Sequence, residues 1–162
     1  MKINDIIRQR RTAMHLTQEQ VANALGVTAP AVHKWEKGIS YPDITLLPAL
    51  ARLLDTDLNT LLSFQADLSN QEIALFLNQL TAQLDAEGFE AAYQTATEKI
   101  REFPTCYALI LNVALVLDGA LSMQGKVSEQ HETEIEALYT RALDSTDSAI
   151  QNQAKCMLIS SG

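Results

Sequence analysis

The sequence predicts an all-α chain in two parts that serve different partners. Three observations carry this. Apolar residues make up 47% of the 162, aromatics only 6%, with 6 Gly and 4 Pro. That Leu-, Ala-, Ile- and Val-rich mix favours helix. The apolar positions recur at helical spacing, and no run of β-branched residues alternates with polar ones as a sheet would require. The net charge of −8 is unevenly divided. Residues 1–42 hold six Lys/Arg against three acids, a net +3, and residues 63–162 hold five against fourteen, a net −9. The first part can approach phosphates, and the second is repelled by them.

The first helix is expected from Ile3 to Met14, with Ile3, Ile6, Ile7 and Met14 as its apolar stripe and the arginines off it. Thr17 caps the second, because Thr-Gln-Glu-Gln puts Gln20 at the capping-box position. That helix runs to Leu25, turns Val21, Ala22 and Leu25 inward, and ends at Gly26, where a left-handed backbone is easiest for glycine. Thr28 caps a third helix reaching about Lys37 and stopped by Gly38. Pro30 sits in its first turn, where the missing N–H costs nothing. Tyr41-Pro42-Asp43 opens a fourth helix, capped by Asp43, with the stripe Leu46, Leu47, Leu50, Leu53 and Leu54. Asp57 caps a short fifth helix through Leu61 and Leu62.

A first helical domain is expected over 1–64, a polar linker over 65–70, and a second helical domain over 71–162. The second domain divides into helices over 71–86, 90–103, 105–123, 128–144 and 147–159. Their breaks fall at Gly88, Pro104, Gly125 and Ser145-Thr146.

Two short capped helices joined by a tight turn, as in Thr17–Gly38 (TQEQVANALGVTAPAVHKWEKG), form a helix-turn-helix pattern. Residues 3–62 resemble the five-helix, lambda-repressor-like domain of phage repressor and Cro proteins and of the Xre-like regulators. The matching residues are Gln18, Ala22, Gly26, Val27, Val32, Trp35, Glu36, Gly38, Pro42 and Leu50. A helix of this kind fits the major groove, and its first turns reach base edges. Here those positions are Thr28, Ala29, Pro30, His33 and Lys34. Lys34 has the donors for guanine, whereas Ala29 and Pro30 offer only apolar contact, for example to a thymine methyl. The resemblance implies a phosphate contact for Gln18 and a structural ion pair between Arg11 and Glu36. Lys37, Ser40 and Arg10 are further phosphate candidates. Trp35 is assigned to packing, and His15 and His131 to the surface.

In the second part, GFEAAYQTATEKIREFP (88–104) resembles the second helix of a tetratricopeptide repeat, with Phe89, Ala92, Ile100 and Pro104 at the family spacings. A weaker copy runs from about Gln130, with Tyr139 and Ala142 in place. Lys99 replaces an expected small residue, so the repeat is degenerate. Dimerisation is expected here, through the apolar face of Cys106, Leu109, Ile110, Val113, Ala114 and Leu117 and through Met157, Leu158 and Ile159. Asn78 and Asn112 are candidates for lining a peptide groove.

No phosphate loop, Cys/His metal spacing or nucleophile with a base is present, so catalytic and metal residues are none, no cofactor is expected, and the chain reads as no enzyme. The opening residues run directly into a helix with three arginines rather than a secretory leader. The apolar run Cys106–Leu117 is shorter than a bilayer span. Both features, with two cysteines read as buried thiols, suit the cytoplasm. The reading is a sequence-specific DNA-binding transcription regulator, a repressor, acting on double-stranded DNA as a homodimer without a membrane. The alternatives are an antitoxin-type or a peptide-responsive regulator whose C-terminal helices bind a protein or peptide.

Overall fold

The structure, a computed structural model, describes residues 1–125 and 128–161; Lys126, Val127 and Gly162 lie outside it. Ten α-helices and no strand occur among the described residues. They fall into two compact units, Met1–Gln65 and Ala66–Gly162.

The first unit holds α1 (Ile3–Ala13), α2 (Gln18–Leu25), α3 (Ala29–Glu36), α4 (Leu47–Leu53) and α5 (Leu58–Leu61). Thr17 and Gln20 form the expected capping box, each side chain taking the other's backbone N–H. Gly26 ends α2 at φ 70°, where a side chain would be strained. Thr28 caps α3 through the N–H of Ala31, with Pro30 in the first turn. Ile6, Ile7, Val21, Ala22, Val32, Trp35, Leu50, Ala51, Leu54 and Leu61 form one core. Met14, placed on the apolar stripe by its spacing, is exposed instead, because α1 ends at Ala13.

The fourth helix differs from expectation. Asp43 does cap, accepting from the N–H of Thr45, but what it caps is a 3₁₀ turn over Ile44–Leu46, and α4 begins at Leu47. Pro48 is the reason. An α-helix begun at Ile44 would need an N–H at residue 48 and would drive the ring into the carbonyl of Ile44. Starting at Leu47 puts Pro48 in the first turn, where neither cost arises.

The second unit holds α6 (Asn70–Glu87), α7 (Phe89–Glu102), α8 (Tyr107–Gln124), α9 (Glu129–Ala142) and α10 (Ser148–Ser160). Ser69 and Glu72 build a capping box at the start of α6. The Ser-x-x-Glu signal thus straddles the boundary expected between linker and domain, and the helix begins at Asn70, inside the stretch read as linker. Helices pack as successive pairs, α6 on α7 and α8 on α9, with α8 also touching α6, α7 and α10. This is the stacking of a tetratricopeptide-like unit. Phe89, Ala92, Ile100, Tyr139 and Ala142, five of the repeat-like positions, are in its core, whereas Pro104 is exposed.

Helix α8 is the centre of that core. It has 18 residues and a mean hydropathy of 1.5, so by length and composition alone it would pass as a membrane span. It is longer than the apolar run that the sequence suggested. Its neighbours account for the composition: a helix apolar on nearly all sides is one packed on several sides. Cys106, Leu109, Ile110, Val113, Ala114 and Leu117 are buried by the chain's own helices. They form the core of the unit and leave no free face, which corrects their assignment to a dimer interface. Met157 and Leu158 likewise pack on this core, while Ile159 is exposed.

Two smaller expectations are also corrected. Cys106 is buried but Cys156 is exposed, since α10 turns Ala154 inward and Cys156 away. His131 is half-buried rather than on the surface. Its ring lies 4.3 Å from that of Phe89, Nδ1 is 3.1 Å from a Glu134 carboxylate oxygen, and Nε2 is 3.7 Å from one of Glu90.

Candidate nucleic-acid interface

Helix α3 has two opposite faces. Val32, Trp35 and Glu36 are buried. Pro30, His33, Lys34 and Lys37 are exposed, and their spacing of three, four and seven residues puts them in one outward stripe. Ala29 does not join that stripe; it is half-buried and packs against the core. Thr28 is exposed, and its hydroxyl oxygen is used by the cap, which leaves the hydroxyl hydrogen to donate. Ser40 is half-buried in the turn after α3, its N–H near the carbonyl of Lys34 at 3.4 Å.

An ion-pair network fixes how α3 sits. Arg11 of α1 meets Glu36 of α3 side-on, Nε at 3.0 and 3.1 Å from the two carboxylate oxygens and Nη2 at 2.8 Å. The Glu36 side chain is only 3% exposed. Nη1 of Arg11 donates to the carbonyl of Leu16 at 2.8 Å. Gln18, at the start of α2, donates its amide to Glu36 at 2.8 Å. One carboxylate therefore ties α1, α2 and α3 together, and the planar guanidinium sets the geometry. Gln18 keeps its second amide hydrogen, and beside it the first N–H groups of α2 have no intrahelical partner. A phosphate is well matched to such a position.

Around this network lies a polar depression of about 150 Å³ lined by Arg8, Arg11, Gln18, His33, Glu36 and Lys37. Three permanent cations surround one carboxylate, so the local field favours an anion.

The structure thus brings together Gln18, His33, Lys34 and Lys37, with Thr28 and Pro30 at the start of the same helix. It separates out Arg10, whose guanidinium donates to the carbonyls of Leu54 at 3.0 Å and of Asp55. Asp55 has φ 49°, so Arg10 secures the left-handed end of α4. Arg8 is the residue that sequence reasoning missed. It precedes Arg11 by three positions, hence one turn of the same face, and the pairing of Arg11 with α3 should have carried Arg8 along.

Asp43 and Asp57 are held below the usual carboxylate range, each by hydrogen bonds: Asp43 from the hydroxyl and then the N–H of Thr45, Asp57 from the N–H and then the hydroxyl of Thr60. Both are caps, and neither enters the depression. Among the described residues, no group of three or more His, Cys, Asp or Glu could hold a metal.

Comparison with known proteins agrees with this geometry. Residues 7–61 match the family described as Helix-turn-helix. Over 63 residues the chain is 38% identical to the HTH-type transcriptional activator BcrR of Enterococcus faecalis, a match covering 39% of this chain and 31% of BcrR. Over 87 residues it is 32% identical to the cryptic phage CTXphi transcriptional repressor RstR of Vibrio cholerae, covering 54% and 77%. Among solved structures, PlcR of Bacillus thuringiensis in complex with the peptide PapR7 and DNA aligns with 97% of this chain at a TM-score of 0.40 and 17% identity, the match spanning 56% of that chain. The chain therefore spans under a third of BcrR and little more than half of PlcR. With the capped α2–α3 pair, its buried Arg11–Glu36 lock and the extent of the RstR match, the chain belongs to the Xre-like helix-turn-helix family of transcriptional regulators.

Proposed function

We propose that the protein is a sequence-specific DNA-binding repressor, with α3 as the helix that enters the major groove. The observation that carries this is the exposed stripe Pro30, His33, Lys34 and Lys37 on a helix whose opposite face is locked in the core. Lys34 donates to base acceptors, His33 donates or accepts according to its tautomer, and Pro30 makes apolar contact. Gln18, Lys37 and Arg8 hold phosphates on either side, with Thr28 and Ser40 at the margins. Arg10 is left out, being engaged by α4. Repression is supported by the likeness to RstR, of which the match spans 77%, and by the fact that occupancy of a site is all that blocking requires.

DNA binding is placed in residues 1–64 and dimerisation or sensing in 71–162, in a cytoplasmic homodimer. One such domain covers one half-site, and tethering two multiplies a weak affinity. A second role for the C-terminal helices, binding a peptide or protein, has one supporting feature. A cavity of about 270 Å³ between α8, α9 and α10 is lined by Asp118, Glu132 and Glu136 together with Leu121, Ile135 and Met157, which suits a cationic, partly apolar segment. Asn112 does not serve such a groove; it donates to the carbonyl of Ala108 in its own helix at 2.7 Å.

The test is binding of the full chain to a selected duplex by fluorescence anisotropy. Lys34→Ala should weaken the selected site by about 1–3 kcal/mol while leaving random duplex nearly unchanged. Lys37→Ala should weaken both alike and lower the salt slope by about one. Equal losses on both duplexes for Lys34→Ala would remove it from base reading.

A further inference from the structure

We infer that Pro30 makes DNA binding depend on a C5-methyl group, so that thymine and 5-methylcytosine serve alike at one position of the bound site and unmethylated cytosine does not. The inference rests on the DNA-binding reading and adds to it a sensitivity to cytosine methylation. Of residues 28–31, only Thr28 and Pro30 are exposed, while Ala29 and Ala31 pack against the core. The backbone donors at this tip are already engaged. The N–H of Ala31 donates to the hydroxyl and the carbonyl oxygens of Thr28, at 3.3 and 3.0 Å, and the N–H of Val32 donates to the same carbonyl at 3.3 Å. Pro30 has no N–H of its own. It therefore offers the groove a hydrocarbon edge, on a ring that loses no rotamer freedom when covered.

The chemistry of the major groove then decides what Pro30 can read. Thymine presents an acceptor oxygen and a C5-methyl, and cytosine presents an amine donor and a bare C5. A ring with neither donor nor acceptor cannot tell the oxygen from the amine. It registers only the methyl, and methylation of cytosine supplies that methyl without altering the pairing with guanine. Covering one methyl is worth about fourfold in affinity. The register follows from the helix. Pro30 and Lys34 share the outward stripe four residues apart, which is about 6 Å along the axis. Base pairs stack about 3.4 Å apart. With α3 lying along the groove, the methyl under Pro30 stands about two base pairs from the base that Lys34 reads.

The test starts from the duplex that the full chain selects from a random library. Each thymine of that duplex is replaced in turn by uracil, which removes the C5-methyl and nothing else. At the thymine facing Pro30, uracil should weaken binding about fourfold for each methyl removed, and cytosine paired with guanine at least as much. Placing 5-methylcytosine there, paired with guanine, should restore affinity to within about twofold of thymine. Pro30→Ser should bind the thymine and uracil duplexes equally, with Trp35 fluorescence confirming an unchanged fold. A selected duplex without thymine, no loss at any thymine, no recovery with 5-methylcytosine, or a thymine–uracil difference that persists in Pro30→Ser overturns the inference and leaves the DNA reading standing. A full chain that binds no duplex at all overturns the DNA reading and this inference with it.

Discussion

Replacing Arg11 with Met should destabilise the DNA-binding unit far more than the same change at Arg8. The substitution strands the Glu36 carboxylate, 3% exposed, without the guanidinium that now gives it three hydrogen bonds. Removing one partner of a buried ion pair costs about 3–5 kcal/mol. The lower end applies here. Gln18 still donates to Glu36, and the Arg11 side chain is 15% exposed, so water can reach the pair from one side. About 3 kcal/mol in a unit of 65 residues corresponds to a fall in Tm of about 12 °C or more. The assay must isolate this unit, because a two-unit chain has no single Tm. Trp35 serves, as the chain has one Trp and it is 5% exposed within the first core. Thermal unfolding followed by Trp35 fluorescence should show the drop in Arg11→Met and little change in Arg8→Met. Adding Glu36→Leu to Arg11→Met should recover about half the loss, because an apolar replacement of both partners leaves no buried charge. Equal Trp35 transitions for Arg11→Met and Arg8→Met would refute the reasoning.

Other consequences follow from individual positions. Gly26→Ala should lower the Trp35 transition by about 1 kcal/mol of stability through backbone strain alone; φ is +70° and nothing lies within 4 Å of the added Cβ. An unchanged melt would show that the α2–α3 turn relaxes. Burial first, then the hydrogen bond to Asp118 and its charge, holds the Tyr139 phenol well above its ordinary 10. A raised folded value means that the stabilisation is complete below pH 10 and lost only as pH rises through that higher value. Absorbance titration of parent and Tyr139→Phe should therefore give the same phenolate signal up to about pH 11, and a difference near pH 10 would contradict it. Asp57 works in the opposite direction. Hydrogen bonds from Thr60 hold its carboxyl below 3.8, so its contribution is present above that pH and fades as pH falls further. Asp57→Asn should flatten this part of the acid unfolding curve, and an identical curve would rule the contribution out.

Most of the first unit was legible because its signals are local. Thr17, Gly26, Thr28 and Asp57 each fix a helix end by chemistry within four residues. The start of α4 was misread because Asp43 and Pro48 give competing instructions, and proline's steric demand prevails. The fate of Arg8 and Arg10 was not legible. They differ by two positions on one helix, and only the placement of α3 and α4 decides which meets the polar depression and which meets the carbonyls of Leu54 and Asp55. In the second unit, helices and repeat-like positions were visible, but the partners of α8 were not. An apolar helix face reads the same whether its cover comes from this chain or another. Here α6, α7, α9 and α10 supply it.

Whether α3 reads DNA sequence is decided by selection of duplexes from a random library with the full chain. Selection should enrich a motif of two related half-sites about one helical turn apart. Lys34→Ala should change the preferred bases at matching positions in both halves, while Lys37→Ala should retain the motif at lower affinity. Recovery of no motif, or of the same motif with unchanged base preferences from Lys34→Ala, would contradict it.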